Sequence, residues 1–389
     1  MRFTPAVFEG QRYSCRRCGW CCRGWRILVE PGERDRLLDH DWSRDSPRLR
    51  GVRLFEEQRL PGQIEPSIQM ARLGDRCVFL EEDNLCLIHK VLGEEAKPFT
   101  CRRFPFALVL TIEGVLVGAD YACPAMVRNE GEPFSFSESL VREWLDGSPA
   151  GRAFNCSPPA DQEVLLLPGL RMDWPAYLEL ERALLGILRH REFPVITRWA
   201  VGGDLISAMA ARGSGRRWLE QREVADWLAE VAWDGYRLLF AGADPAQSPA
   251  LPGMSDLAPM IGAIETPHSP TSGPGSAAIG YALAVANGAG ALYLSTLEGW
   301  VDLEALGRVD RDLSPPQFDD YLTRFVSNYL LRKSLLQSPH LRDGWDYLGR
   351  CLALVGWYAA AWAAMHGRAR LDGDDLVAGI QAVEKGYSP

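Results

Sequence analysis

The second half of the chain carries apolar residues at intervals of three and four, a spacing that predicts amphipathic helices. The clearest case follows segment 173–175, Asp-Trp-Pro, which has the form of a helix N-cap with proline just inside the helix. Beyond it, Leu180, Leu184 and Ile187 fall on one helical face. The helical pattern begins near Ser137, and we predict further helices at 195–211, 220–240, 316–337, 344–366 and 373–385.

The first third of the chain shows shorter patterns. Polar and apolar positions alternate within residues 51–73, for example at 63–65 and 67–70, which predicts strands. Ile27–Glu30 predicts another strand, and Pro31–Asp39 predicts a helix with proline in its first turn.

Two β-rich runs, Ala107–Ile112 and Val115–Asp120, flank Glu113-Gly114 and predict a hairpin. Folding this hairpin would bring the segment Cys101–Phe104 beside Cys123. Cysteines that are distant in sequence could then share one site.

These patterns predict an α+β protein. With 389 residues, two domains are expected. We place a cysteine-rich domain with short strands and a hairpin at residues 1–135, and a mostly α-helical domain at 136–389. Residues 241–275 contain Pro, Ser and Gly with little periodicity and predict a loop inside the second domain.

Two apolar stretches, 276–297 and 351–365, are candidates for a membrane span. The first is interrupted by Asn287 and rich in Ala and Gly, and the second is shorter than the ~20 residues that a span needs. We predict that both are buried helices and that there is no membrane span.

Composition adds three expectations. A content of 47% hydrophobic and 24% charged residues is that of an ordinary globular protein. The net charge of −9 argues against a nucleic-acid partner. Residues 1–10 lack the apolar core of a secretory signal, so we expect a cytoplasmic protein with reduced thiols.

The cysteines give the strongest chemical signal. Four of them form the run C-x2-C-x2-C-C, and eight of the ten fall in the first third of the chain. Clustered cysteines in a reducing compartment indicate metal binding rather than disulfides. The predicted metal ligands are Cys15, Cys18, Cys21, Cys22, Cys77, Cys86, Cys101 and Cys123.

The spacing favours an iron–sulfur cluster over zinc. Structural zinc sites commonly use two separate C-x2-C pairs, whereas three x2-spaced thiols with a remote fourth, here Cys123-Pro124, are more usual for iron–sulfur clusters. Zinc stays open as the alternative, and His89 could replace one thiolate. Cys156 and Cys351 stand outside the group, and Cys351 begins an apolar helix where a buried free thiol is expected.

Between Arg12 and Arg26 the chain has arginines but no acidic residue. Guanidinium groups beside thiolates would lower the thiol pKa values and offset the negative charge of a thiolate–metal site.

Five cysteine-bearing segments, in this order, resemble the bacterial CxxCxxCC cysteine-cluster proteins, which chelate zinc or iron: Cys15–Cys22, Cys77–Leu80, Cys86–His89, Cys101–Pro105 and Cys123-Pro124. Three further segments are similar to the flagellin lysine N-methylase branch of that family: Cys22–Ile27, Leu92–Ala96 and Asn328–Leu330.

The narrower resemblance implies an iron–sulfur cluster, of the 4Fe–4S type, and methyl transfer from S-adenosylmethionine to lysine side chains of a protein such as flagellin. The residues themselves neither support nor exclude that reaction. No Gly-x-Gly-x-x-Gly stands between a strand and a helix, so an ordinary Rossmann site for S-adenosylmethionine is not expected.

Two functions therefore remain from the sequence. The first is an iron–sulfur protein whose cluster serves a lysine methyltransferase, and the second is a non-catalytic protein in which zinc holds the cysteine domain together. No catalytic residue, S-adenosylmethionine-binding residue or oligomeric state is indicated.

Overall fold

The protein is seen in a computed structural model, which describes residues 2–23, 27–58, 66–74, 76–146, 163–213, 215, 217–233, 251–265 and 274–387. Its first part, up to residue 146, is made of short elements. The strands are β1 (Phe3–Ala6), β2 (Arg12–Tyr13), β3 (Leu28–Val29), β4 (Phe55–Gln58), β5 (Ser67–Met70), β6 (Arg72–Leu73), β7 (Arg76–Cys77), β8 (Phe106–Thr111), β9 (Gly114–Ala119) and β10 (Glu132–Pro133). The helices are α1 (Pro31–Leu38), α2 (Trp42–Asp45), α3 (Leu87–Leu92), α4 (Phe99–Arg103), α5 (Pro124–Arg128) and α6 (Glu138–Asp146).

The predicted hairpin is present. Strands β8 and β9 pair antiparallel from Phe106↔Ala119 to Thr111↔Gly114, and β1 pairs parallel with the outer edge of β9. Gly114 has φ +138°, and a Cβ there would lie 2.3 Å from the Arg2 carbonyl oxygen, so only glycine fits this turn.

The other predicted elements of the first part are confirmed where they are described. Strands β3, β5 and β4 form a small antiparallel sheet, and α1 begins at Pro31. The alternating residues 63–65 lie outside the described residues.

The second part contains the longer helices. They are α7 (Trp174–Ile187), α8 (Val195–Arg212), α9 (Gln221–Trp233), α10 (Met254–Glu265), α11 (Pro274–Asn287), α12 (Leu303–Gly307), α13 (Pro316–Leu331), α14 (Leu341–Met365) and α15 (Gly373–Gly386). Its strands are β11 (Glu163–Leu167), β12 (Leu170–Asp173), β13 (Trp218–Leu219), β14 (Ala291–Leu294) and β15 (Gly299–Asp302).

Helix α7 forms as its sequence predicts. The side chain of Asp173 accepts a hydrogen bond of 2.8 Å from the Ala176 amide, which caps the helix. Leu180, Leu184 and Ile187 are buried on one face. The amphipathic pattern thus gives both the start of this helix and its inner side.

Helix α14 is the central helix of the second part. It is long and apolar enough to cross a membrane by length and composition, yet 78% of its most apolar window is buried inside the protein, as in a core helix. Helix α15 packs closely against it, because a Cβ at Gly379 would lie 2.4 Å from the Val355 carbonyl oxygen. The predicted burial of 351–365 is confirmed.

Three expectations for the second part are wrong. Residues 254–265, within the predicted loop 241–275, form helix α10, which buries Leu257 and Ile261. Pro259 inside the segment disfavours a helix by sequence pattern. The helix is nevertheless stabilised by close packing against α11, since a Cβ at Gly262 would lie 2.5 Å from the Ala278 carbonyl oxygen. Residues 241–250 and 266–273 lie outside the described residues.

The stretch 276–297 is not one buried helix. Helix α11 ends at Asn287, Gly288 and Gly290 adopt positive φ, and strand β14 follows. Ile279 and Leu283 are 61% and 57% exposed, because only one face of this apolar helix packs on the protein.

The predicted helix 316–337 is interrupted. Helix α13 ends at Leu331, Lys333 has φ +59°, and a 3-10 turn covers Ser334–Gln337. The Lys333 ammonium forms a buried ion pair with Glu181 of α7, which fixes the break. Strands β11 to β15 were also missed, because their pairing depends on contacts that short runs do not reveal.

The two parts are joined by side chains that bond to backbone carbonyls. Asn328 of α13 donates to the Ala119 carbonyl oxygen at 3.1 Å, and Gln381 of α15 donates to that of Ala122 at 2.8 Å. Arg324 donates to the carbonyl oxygens of Met126 and Val127. The segment 119–127, which includes Cys123, is therefore held by the last helices of the chain.

Candidate metal centre

The cysteine run ends in a tight turn at Trp20–Cys22. Gly19 precedes it with φ +70°, and the Cys22 amide donates to the Gly19 carbonyl oxygen at 3.0 Å. A Cβ at Gly19 would lie 3.0 Å from Cβ of Asn84 and 3.2 Å from Leu80, so glycine lets this turn pack against the 80–84 turn.

Cys77 and Cys86 are brought together by a second turn. The Leu80 amide donates to the Cys77 carbonyl oxygen at 2.9 Å, and Leu80 forms an isolated β-bridge with Cys86. A further bridge joins Arg23 to Arg76. The neighbours of Cys22 and Cys77 are therefore paired through their backbones.

Cys101 lies on the short helix α4. The Phe99 amide donates to Glu33 Oε1 at 2.7 Å, and Thr100 Oγ1 donates to the Leu28 carbonyl oxygen at 3.1 Å. These two bonds fix α4 against α1 and β3, and Cys101 packs against the apolar cluster that contains Cys77.

The hairpin places Cys123 at the same cavity as Cys101, as predicted. After β9, the Asp120 amide donates to the Pro105 carbonyl oxygen at 2.8 Å, which closes the hairpin beside α4. The Cys123 amide then donates to the Asp120 carbonyl oxygen at 3.2 Å, and α5 starts at Pro124.

All eight predicted cysteines line one cavity of about 510 Å³. Cys351 does not: it is buried in helix α14. Cys156 lies outside the described residues. Among the described residues, no three His, Cys, Asp or Glu side chains form a group that could hold a metal ion. The thiols surround the cavity rather than converge on one point, and His89 also lines it.

Cys21 and Cys22 form a coupled pair of thiols. Their sulfurs are 3.9 Å apart. A hydrogen bond from Cys22 lowers the pKa of the Cys21 thiol to about 7, while the same bond and burial raise the pKa of Cys22. The Cys21 thiol is therefore close to ionisation at neutral pH, which favours its use as a ligand.

The deeper thiols are kept neutral by burial. Burial raises the pKa of Cys77 and of Cys123 to about 12, and raises the pKa values of Cys86 and Cys101. Thiolate is the form that binds metal, so a metal entering this cavity must displace protons.

Two lysines near the thiols were missed in the sequence. The Lys97 ammonium lowers the pKa values of Cys21, Cys86 and Cys101, although burial dominates at the last two. The Lys385 ammonium, from α15, lies 4.3 Å from the centre of the Trp20 ring and acts on Cys21. Lys385 is distant in sequence from every cysteine of the cavity, so only the fold reveals it.

The arginines of the run contribute in a different way. Arg16 pairs with Glu130 at 2.8 Å, and Arg23 donates to Asn84 at 2.9 Å. Arg16 and Arg17 line the cavity. Arg16 and Arg23 thus also anchor the cysteine run to neighbouring segments. Arg26 lies outside the described residues.

The donor set fits a thiophilic metal. Thiolates suit zinc and iron–sulfur clusters, and the lysines and arginines around the cavity can offset their negative charge. The described residues could supply up to eight thiolates, more than the four that one structural zinc ion takes.

A family model described as "Putative zinc- or iron-chelating domain" (CxxCxxCC) matches residues 14–124, the stretch that carries all eight thiols. The flagellar biosynthetic protein FliU of Salmonella muenchen is 30% identical over 141 residues, which cover 80% of that protein and 33% of this chain. The chain belongs to the CxxCxxCC family. The recognition made from the five cysteine segments is thereby confirmed.

The relatives of this chain also include proteins named lysine-N-methylase. That of Salmonella typhimurium is 28% identical over 189 residues, 46% of this chain and 44% of the relative. An uncharacterized protein of Methanocaldococcus jannaschii is 30% identical over 110 residues, 28% of this chain and 34% of the relative. The chain thus spans less than half the length of these two relatives. No solved structure matches.

Proposed function

We propose that this chain is an iron–sulfur protein whose cluster serves protein-lysine N-methylation with S-adenosylmethionine as the methyl donor. The observation that carries the proposal is that eight thiols line one cavity of about 510 Å³. Such a cavity is far larger than one metal ion needs, and a polynuclear cluster uses sulfurs that stand several ångströms apart.

The spacing of the thiols supports iron–sulfur over zinc. Cys15, Cys18 and Cys21 are three x2-spaced ligands, and Cys123-Pro124 is a remote Cys-Pro that the hairpin brings to the same cavity. A 4Fe–4S cluster takes four such thiolates. The protein then belongs in a cytoplasm, where thiols stay reduced.

Support for methyl transfer comes from the relatives. The match to the lysine-N-methylase covers 189 residues, more than the stretch 14–124 that forms the cysteine domain. In the proposed reaction the neutral lysine amine takes the methyl group from the sulfonium, which leaves as S-adenosylhomocysteine, and a proton is released. A flagellin is the proposed substrate.

The test begins with metal content. Full-length protein purified without oxygen should be brown and contain iron and acid-labile sulfide. Stoichiometric zinc without iron would replace this proposal with the structural zinc protein.

The second arm uses S-adenosylmethionine with a labelled methyl group and purified flagellin. Label should appear on lysine only with the metal-loaded protein, and a flagellin whose lysines are already blocked is the control. A loaded protein that neither binds S-adenosylmethionine nor labels lysine would refute methyl transfer and leave the metal site standing.

A further inference from the structure

We propose that the eight thiols form two separate metal centres of four thiolates each, and this inference rests on the metal binding of the proposed function. The inner set shares one apolar cluster and consists of Cys22, Cys77, Cys86 and Cys101. The outer set is tied to the core of the second part and consists of Cys15, Cys18, Cys21 and Cys123.

The inner set is held by one hydrophobic cluster. Cys77 is a member of the cluster that includes Ile27, Val29 and Phe79, and the other three inner cysteines pack against it. The backbone bridges Arg23–Arg76 and Leu80–Cys86 join three of the four segments. The fourth, α4, is fixed by the bond from Thr100 to Leu28, which directly precedes Val29.

The outer set has a different support. Cys123 belongs to the large core of the second part, and Tyr13 packs against that same core. Tyr13 pairs with Glu132 between β2 and β10, and the Ser14 amide donates to the Glu130 carbonyl oxygen at 3.0 Å. The start of the cysteine run is therefore tied to the segment that follows Cys123.

Exposure differs between the sets, although not at every member. In the outer set Cys15, Cys18 and Cys21 are exposed and only Cys123 is buried, whereas every inner cysteine is buried or half-buried. The outer centre is therefore open to solvent on the side of the cysteine run, and the inner centre is surrounded by apolar side chains.

The Cys21–Cys22 pair joins the two sets. The two sulfurs lie 3.9 Å apart, with Cys21 in the outer set and Cys22 in the inner set. This pair marks the boundary where the two centres meet.

The sets differ in chemistry. The outer set has three x2-spaced thiols and a remote Cys-Pro, so it takes the iron–sulfur cluster. The four inner cysteines come from four separate segments and lie in apolar surroundings, which suits a closed structural centre of zinc or iron. Within the part of the chain that the structure describes, no three thiols already form a group that could hold a single ion, so metal binding must draw the inner sulfurs together.

The experiment measures iron, zinc and sulfide per chain in the full-length protein and in matched variants, purified without oxygen. Cys18→Ser should lose the sulfide and the iron of the outer cluster and keep the inner metal. Cys86→Ser should lose the inner metal and keep the sulfide. Cys351→Ala lies outside both sets and should keep the wild-type content of iron, zinc and sulfide.

Because Cys86→Ser removes a structural centre, it could fail to fold, so metal release from the wild-type protein is followed as well. A chelator should extract metal in two phases, the exposed outer centre first, and in Cys18→Ser only the slow phase should remain. A single phase, or loss of all metal in Cys18→Ser, would overturn the division into two centres.

These results separate the two proposals. If the wild-type protein contains one iron–sulfur cluster and no other metal, the proposed function stands and the second centre is refuted. A protein with two zinc ions and no sulfide keeps two centres and refutes the iron–sulfur function.

Discussion

The part up to residue 146 and the helical part after residue 163 are stabilised in different ways. The helical part surrounds α14, a helix of 25 residues whose middle is almost fully buried. The cysteine part has helices of at most nine residues and strands of at most six, arranged around a cavity lined by thiols. The helical part encloses one large apolar core, whereas the cysteine part has smaller apolar clusters beside a cavity lined by thiols that can bind a metal.

The largest expected effect comes from removing an inner thiolate. Cys77→Ser should lower metal content and leave the cysteine part protease-sensitive and poorly soluble, because structural metal sites contribute roughly 10 kcal/mol to the folding of small domains. Cys351→Ala is the control and should keep full metal content. Limited proteolysis with elemental analysis measures both, and a Cys77→Ser protein that kept its metal and resisted protease would contradict the comparison.

The pH dependence of stability should differ between the metal-free and loaded forms. Burial raises the pKa of Cys77 and Cys123 to about 12, so the metal-free fold holds protons that the unfolded chain releases near its ordinary thiol pKa. Rising pH then favours unfolding, and the melting temperature of the metal-free protein should fall from about pH 8 to about pH 10.

The loaded form should show the opposite trend below that window. Its thiolates are already deprotonated, so protons compete with the metal and acid should release it. Melting curves at several pH values, with and without chelator, give the comparison. Parallel curves for the two forms would mean that these thiols do not bind the metal.

The helical part should respond to an ordinary core substitution. Leu354→Ala, at a fully buried position of α14, should lower the free energy of unfolding by about 3 kcal/mol through lost burial and a cavity. Metal content should not change. Denaturant unfolding with metal analysis tests this, and loss of metal would show that the two parts do not respond separately.

Some elements of the fold could be predicted from the sequence and others could not. The hairpin and the cap of α7 were predictable because their signals are local: a turn at Glu113-Gly114 and an Asp-Trp-Pro start. Helix α10 was not predictable, because the close packing of Gly262 against α11 outweighs the unfavourable helix propensity of Pro259.

The site divides in the same way. Cysteine spacing predicted the eight thiols that line the cavity, since ligand chemistry is visible in residue type. The roles of Lys97 and Lys385 depend on where separate segments meet, and no local pattern contains that information.

A smaller effect should follow from weakening the joint between the parts. Gln381→Ala leaves the buried Ala122 carbonyl without its donor at 2.8 Å, which should cost about 1–2 kcal/mol. The exposed Gln221→Ala is the control. A chelator should remove metal from the outer centre faster in Gln381→Ala than in the wild-type protein, because Cys123 directly follows Ala122. The rate should not change in Gln221→Ala.

The smallest expected effect is at Lys97. Lys97→Ala removes the ammonium that lowers the pKa values of Cys21, Cys86 and Cys101, so apparent metal affinity near neutral pH should fall by less than about tenfold. Lys90→Ala is the matched control, since Lys90 also lines the cavity but pairs with Asp83 at 2.5 Å. Metal competition titrations compare the two, and equal affinities would assign Lys97 no part in the site.

The bonds from the last helices to segment 119–127 also set an order of events during synthesis. The cysteine run is synthesised before Gln381 and Lys385, which contact Ala122 and Trp20 beside the cavity. At ordinary rates of synthesis the interval is on the order of tens of seconds. The thiols must therefore stay reduced during that interval, and the cavity is complete only after Lys385 has been made.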